Sequence, residues 1–122
     1  MAEQSQPEEA PRAGSQIEGA VVMGVGMALL EHTIYDPQNG APINSNLADY
    51  LMSVNADAPL MEVHFLDYPD TDVNPLGARG IGEIGLAGVA AAITAATYHA
   101  TGVRVRELPI RIEDLLTSSI LA

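Results

Sequence analysis

One carboxylate, Glu83, stands inside the glycine-rich run NPLGARGIGEIGLAG over residues 74–88, the setting of a catalytic acid or base. Gly82 and Gly85 lack side chains, so a substrate or cofactor can approach the backbone on either side of Glu83 without obstruction. The run leads into LAGVAAAITAATYHA, alanine-rich and nearly free of charge, which predicts a buried helix from about Leu86 to Ala100. First-turn N–H groups of such a helix would point back at the loop and make an anion-friendly pocket. A carboxylate accepts a proton only when ionised, and a helix start favours that form, whereas burial opposes it. The plainer reading of the same glycines is that they only let the helix pack closely on a neighbour.

Other motifs compete and mostly fail. Gly80-Ile81-Gly82-Glu83-Ile84-Gly85 fits the dinucleotide fingerprint G-x-G-x-x-G, with Glu107 near the offset of a ribose-binding acid. That turn needs a strand running directly into its first glycine, and here Pro69, Pro75 and Gly77 intervene. A charged Glu83 within the turn would also repel a pyrophosphate. Asp70, Asp72 and Asn74 have the spacing that opens a calcium loop, but Pro75 stands where glycine is required and Ile81 where a bidentate glutamate belongs. His32, His64 and His99 lie on separate elements without ligand spacing, so no zinc site is expected. Neither a G-x-S-x-G elbow nor a cysteine nucleophile exists.

The elements that must position Glu83 can be outlined from periodicity. Val22, Met23, Gly26, Met27 and Leu30 recur at helical spacing and predict a helix from about Ile17 to His32. Gly24 and Gly26 each weaken it by about 1 kcal/mol relative to alanine, which suggests that another backbone packs against that face. Asp36-Pro37-Gln38-Asn39-Gly40 reads as a turn within a hairpin or a strand and return, and Leu47 to Val54 is ambiguous between helical turn and strand. Met61 to Tyr68 alternates Val63 and Phe65 against Glu62 and His64 and predicts a strand, as does Val103 to Leu108. Thr101-Gly102 should stop the alanine-rich helix, and Arg111 to Thr117 can form a short closing one. The fold class expected is therefore α+β, two main helices packed on a small sheet of short strands.

Composition sets the bounds. The 122 residues give room for one domain with a modest core, 48% of them being apolar. Five Lys and Arg against sixteen Asp and Glu give a net charge of −11, which argues against nucleic-acid or anionic-membrane partners. The chain has no cysteine, so it cannot itself ligate an iron–sulfur cluster. Its longest apolar stretch, Gly19 to Leu30, is shorter than the about 20 residues a membrane span needs. The first residues, MAEQSQPEEAPRAGS, lack signal-peptide character, and a cytoplasmic location is expected. Their low hydrophobicity predicts a disordered tail over 1–15.

Three motifs, in order, carry a resemblance. SQIEGAVVMGVGMALL followed by Glu31, then NSNLADY, then ARGIGEIGLAGVAAAI resemble the C-terminal segment of the molybdopterin-binding large subunit of the xanthine oxidase and aldehyde oxidase family. The resemblance runs over about residues 15–116 and makes 16–122 the C-terminal part of a molybdopterin-binding domain. It implies a molybdenum hydroxylase that inserts water-derived oxygen into a C–H bond of an aldehyde or N-heterocycle. The family glutamate matching Glu83 is the active-site base, and the glutamine matching Gln16 lies close to the molybdopterin. Gly82, beside Glu83, is the third candidate site residue, a cofactor contact on the ground of its bare backbone rather than of the resemblance.

The implied cofactor is molybdenum–molybdopterin in its cytosine dinucleotide form. FAD and iron–sulfur clusters would belong to partner subunits or segments, and the remainder of the molybdenum subunit is itself an implied partner. The family subunit is several times longer than this chain, so the isolated chain is expected to be inactive. The alternative is a non-catalytic fragment or assembly module that folds or self-associates without cofactor, its apolar surface being an association liability.

Overall fold

The computed structural model describes residues 9–66, 71–75, 77 and 80–119. Helix α1 spans Glu9–Leu29, α2 spans Val89–Thr101 and α3 spans Ile112–Ser119, with a 3-10 turn at Asn55–Asp57. Helix α1 therefore starts well before Ile17, and residues 9–15 of the stretch expected as a disordered tail are helical. Pro11 is compatible with that start, because the first N–H groups of a helix have no intrahelical acceptor and proline forfeits nothing there. Residues 1–8 lie outside the described residues.

Helices α1 and α2 pack on each other through small residues. Ala20, Gly24 and Ala28, four apart on one face of α1, are all buried, Ala28 completely. A Cβ built on Gly24 would lie 2.5 Å from both Cβ and Cγ1 of Val89, the first residue of α2. The expectation of a close neighbour at Gly24 thus holds. Gly26 is crowded as well, by the Glu31 and Ser53 side chains at 2.6 and 2.8 Å from its notional Cβ. Met23 and Met27, expected on the packed face, are exposed instead. The close approach of the two helices selects small residues and turns the bulky ones outward.

The predicted sheet is not there. Among the described residues there is no strand, and the one β-type pairing is an isolated antiparallel bridge between Tyr35 and Pro42. Residues 61–66 and 103–107 carry the alternating pattern of strands, but a strand exists only where a neighbour receives its hydrogen bonds. The last two residues of the expected Met61–Tyr68 strand lie outside the described residues. The α+β expectation is corrected accordingly to a helical framework with extended connections.

Those connections are held by side-chain hydrogen bonds. The turn after α1 closes through Gly40 N–H to Asp36 O at 2.8 Å, with Gly40 at φ +72° where glycine is unstrained. Buried Asn44 accepts from Ile34 N–H at 2.9 Å and donates to His32 O at 2.7 Å, tying the returning chain to the end of α1. Tyr50 Oη donates to Glu31 Oε2 at 3.2 Å. Near the C-terminus, buried Ile110 donates its N–H to Ala28 O at 2.7 Å. Helix α2 stops as expected at Gly102, φ +73°, whose N–H returns to Tyr98 O at 2.7 Å.

Candidate active site

Glu83 sits on a series of tight turns, before the helix rather than at its start. Residues 82–88 are turns, closed by Leu86 N–H to Glu83 O and Val89 N–H to Leu86 O, each at 3.1 Å. Helix α2 begins only at Val89, with Gly88 as an N-cap that offers no side-chain bond. The expected helix start at about Leu86 is thus corrected to Val89, six residues beyond Glu83. Glycine explains the delay, since Gly82, Gly85 and Gly88 within seven residues raise the entropic penalty of continuing the helix backwards.

The sequence pairs Gly82 with Gly85, and the structure separates them. A Cβ on Gly85 would meet Ala20 Cβ at 3.0 Å and Ile17 Cδ1 at 3.2 Å, so this glycine lets the turn lie against α1. Gly82 is exposed, has an ordinary φ, and has no described residue beyond its chain neighbours within 4 Å of its notional Cβ. Gly80 is equally open. The plain packing reading of the run is therefore true of Gly85 and does not extend to Gly82.

Gln16, 66 residues away in sequence, joins this turn. Its Nε2 donates to the carbonyl oxygen of Gly82 at 3.1 Å, which brings all three sequence-predicted site residues into one place. Gln16, Gly82 and Glu83 are each exposed. An apolar groove lined by Val21, Ile84, Val89, Ala92, Ile93 and Ala96 runs alongside between the two helices. Glycine backbone open at Gly80 and Gly82, flanked by one carboxamide and one carboxylate, suits a bulky polar cofactor approaching from outside.

His64 pairs with neighbouring Glu62, at 3.1 Å on the surface. Among the described residues no group of three His, Asp or Glu could hold a metal ion. Asp70 of the candidate calcium loop lies outside the described residues. No described helix is long and apolar enough to cross a membrane. What sequence reasoning missed is the polar cluster behind α1, where Glu31, Tyr50 and the buried, unpartnered Ser53 Oγ meet. The only hint was the order of Glu31 and the NSNLADY motif.

Comparison with known proteins places the chain. A family model described as a molybdopterin cofactor-binding domain matches residues 12–59, a stretch that includes Gln16 and ends before Gly82. The chain is 48% identical over 104 residues to the aldehyde oxidoreductase molybdenum-binding subunit PaoC of Escherichia coli K12, covering 85% of this chain and 14% of that protein. It is 38% identical over 98 residues to the putative xanthine dehydrogenase molybdenum-binding subunit XdhA of the same strain, covering 80% of this chain and 13% of that protein. Among solved structures, quinoline 2-oxidoreductase from Pseudomonas putida 86 matches with a TM-score of 0.76 at 30% identity, over 89% of this chain and 14% of that one. The chain thus spans about one seventh of the length of the relatives it matches first. Sequence and backbone agree that it belongs to the xanthine oxidase and aldehyde oxidase family, as a segment of the molybdenum-binding subunit.

Proposed function

We propose that this chain supplies the general base and part of the cofactor contact of a molybdenum hydroxylase acting on a small aldehyde or N-heterocycle. The observation that carries this reading is the meeting of Gln16, Gly82 and Glu83 on one exposed turn. Gly82 and Gln16 are the residues that would hold the molybdopterin, in its cytosine dinucleotide form. Open backbone at Gly82 and a carboxamide with one N–H and its oxygen still available fit a polar, hydrogen-bonding group. When bound, the cofactor would supply the two-electron acceptor needed for a substrate C–H bond to become C–OH with water-derived oxygen.

Glu83 handles the proton. Its carboxylate takes the proton that water-derived oxygen loses while adding to the substrate carbon, and the exposed head is free to face that oxygen. The neighbouring shallow apolar surface offers a wall for a flat or aliphatic substrate. Iron–sulfur and flavin partners would carry the electrons onward, and the remainder of the subunit would complete the site, in the cytoplasm. Turnover by the complete protein carrying Glu83→Gln tests the assignment, with molybdenum content measured in parallel.

A second reading has its own observation. Leu60 is 103% and Leu66 90% exposed, and Met23, Met27, Leu47 and Ile112 are exposed too, so the chain keeps much apolar surface in water. This supports an assembly module that associates, with a copy of itself or other subunits, without cofactor. Metal analysis of the purified chain with its mass in solution separates the two, because molybdenum retained by the chain alone would rule out the cofactor-free module.

A further inference from the structure

We infer that Gln16 is a positioning residue for Glu83, an inference that rests on the reading of Glu83 as base. The carbonyl of Gly82 and the N–H of Glu83 belong to a single planar peptide unit. Gln16 Nε2, by donating to that carbonyl at 3.1 Å, fixes the orientation of the plane from which Glu83 departs. Gln16 lies within the long helix α1, so the anchor is rigid.

The other side of Glu83 is held by the same helix. Ile17, next to Gln16, and Ala20, one turn on, abut Gly85 so closely that a Cβ there would stand 3.0 Å from Ala20 Cβ and 3.4 Å from Ile17 Cα. Between these two fixed points Glu83 O accepts from Leu86 N–H at 3.1 Å. Consecutive residues of one face of α1 thus clamp the turn before and after Glu83, while its side chain stays exposed. A base must hold its oxygen within hydrogen-bond reach of the proton it takes, and a clamped backbone with a free head provides that. One amide N–H of Gln16 serves the clamp, and its remaining N–H and Oε1 stay available to the cofactor.

The test compares Gln16→Ala with Gln16→Glu, which keeps the shape and loses the donor. Amide exchange in the intact protein should quicken by about fivefold at residues 82–86 in both variants, the loss of one exposed hydrogen bond, with α2 unchanged. In the complete enzyme kcat per bound molybdenum should fall about tenfold with KM nearly constant. Unchanged exchange at 82–86 overturns the inference by itself, as does a loss of turnover fully accounted for by lost molybdenum. Near-normal turnover of Glu83→Gln overturns the underlying base assignment and this inference with it, and is distinguished because exchange reports the turn whatever the chemistry.

Discussion

Gly24 and Val89 meet where α1 crosses the start of α2, with only 2.5 Å between the Val89 Cβ and the position a Cβ on Gly24 would occupy. No rotamer of valine relieves that overlap, because it involves Cβ itself. Gly24→Ala must therefore move one helix away from the other, at about 1–3 kcal/mol. Pairing it with Val89→Ala removes the Val89 Cγ atoms and should recover part of the loss. Denaturant unfolding of the two single variants and the double variant measures this, and a Gly24→Ala protein as stable as the parent would contradict the packing described.

The glycines near Glu83 should divide by readout. Gly85→Ala presses on Ala20 and Ile17 and should lower stability by about 1–3 kcal/mol, with activity falling alongside. Gly102→Ala strains a left-handed cap and should cost about 1 kcal/mol with little effect on turnover. Gly82→Ala meets none of the described residues, so its melting temperature should barely move while turnover or cofactor retention drops. Thermal unfolding and turnover measured for all three decide it. A Gly82→Ala enzyme with full activity and full molybdenum would remove Gly82 from the cofactor contact.

Glu83→Gln keeps size and shape and loses the ability to accept a proton. In the complete enzyme it should reduce kcat by at least about 100-fold, with molybdenum content and melting temperature nearly unchanged. Turnover near that of the parent would refute the base assignment.

Asn44→Ala should be the costliest polar substitution outside the site. It leaves Ile34 N–H and His32 O without the partner that the buried carboxamide supplies, for about 2 kcal/mol. Asn39→Ala removes bonds to Asp36 and Ala41 that are exposed, and should stay within about 0.5 kcal/mol. Equal effects of the two in urea titrations would show that burial at Asn44 does not carry the difference.

The helices were readable where local chemistry decides. Gly102 marks the end of α2 because a left-handed cap is a property of that residue and its preceding turn, and the Asp36–Gly40 turn was legible for the same reason. Residues 61–66 and 103–107 misled because alternation reports which faces could be buried, while a strand depends on a partner backbone that no described residue provides. The early start of α1 was hidden by a Glu, Gln and Pro composition that resembles a tail. At the site, Gly82 and Gly85 are indistinguishable as letters, and only the approach of Ile17 and Ala20 tells the open one from the packed one. Glu83 stood out by its glycine-rich setting, Gln16 was named only through the family resemblance, and their proximity emerges from the fold.

The sparse interior, with Ala20, Ala28 and Ile110 as the buried apolar residues among those described, sets a calorimetric property of the chain. Heat-capacity increments on unfolding scale with apolar area newly wetted, and here most large apolar side chains are wet already. The increment should fall below the about 12 cal/mol/K per residue of ordinary globular domains, giving a flatter dependence of stability on temperature. Whatever covers Leu60, Leu66, Met23 and Met27 would then bind with a strongly negative heat-capacity change, so the calorimetric signal absent from folding should reappear on assembly.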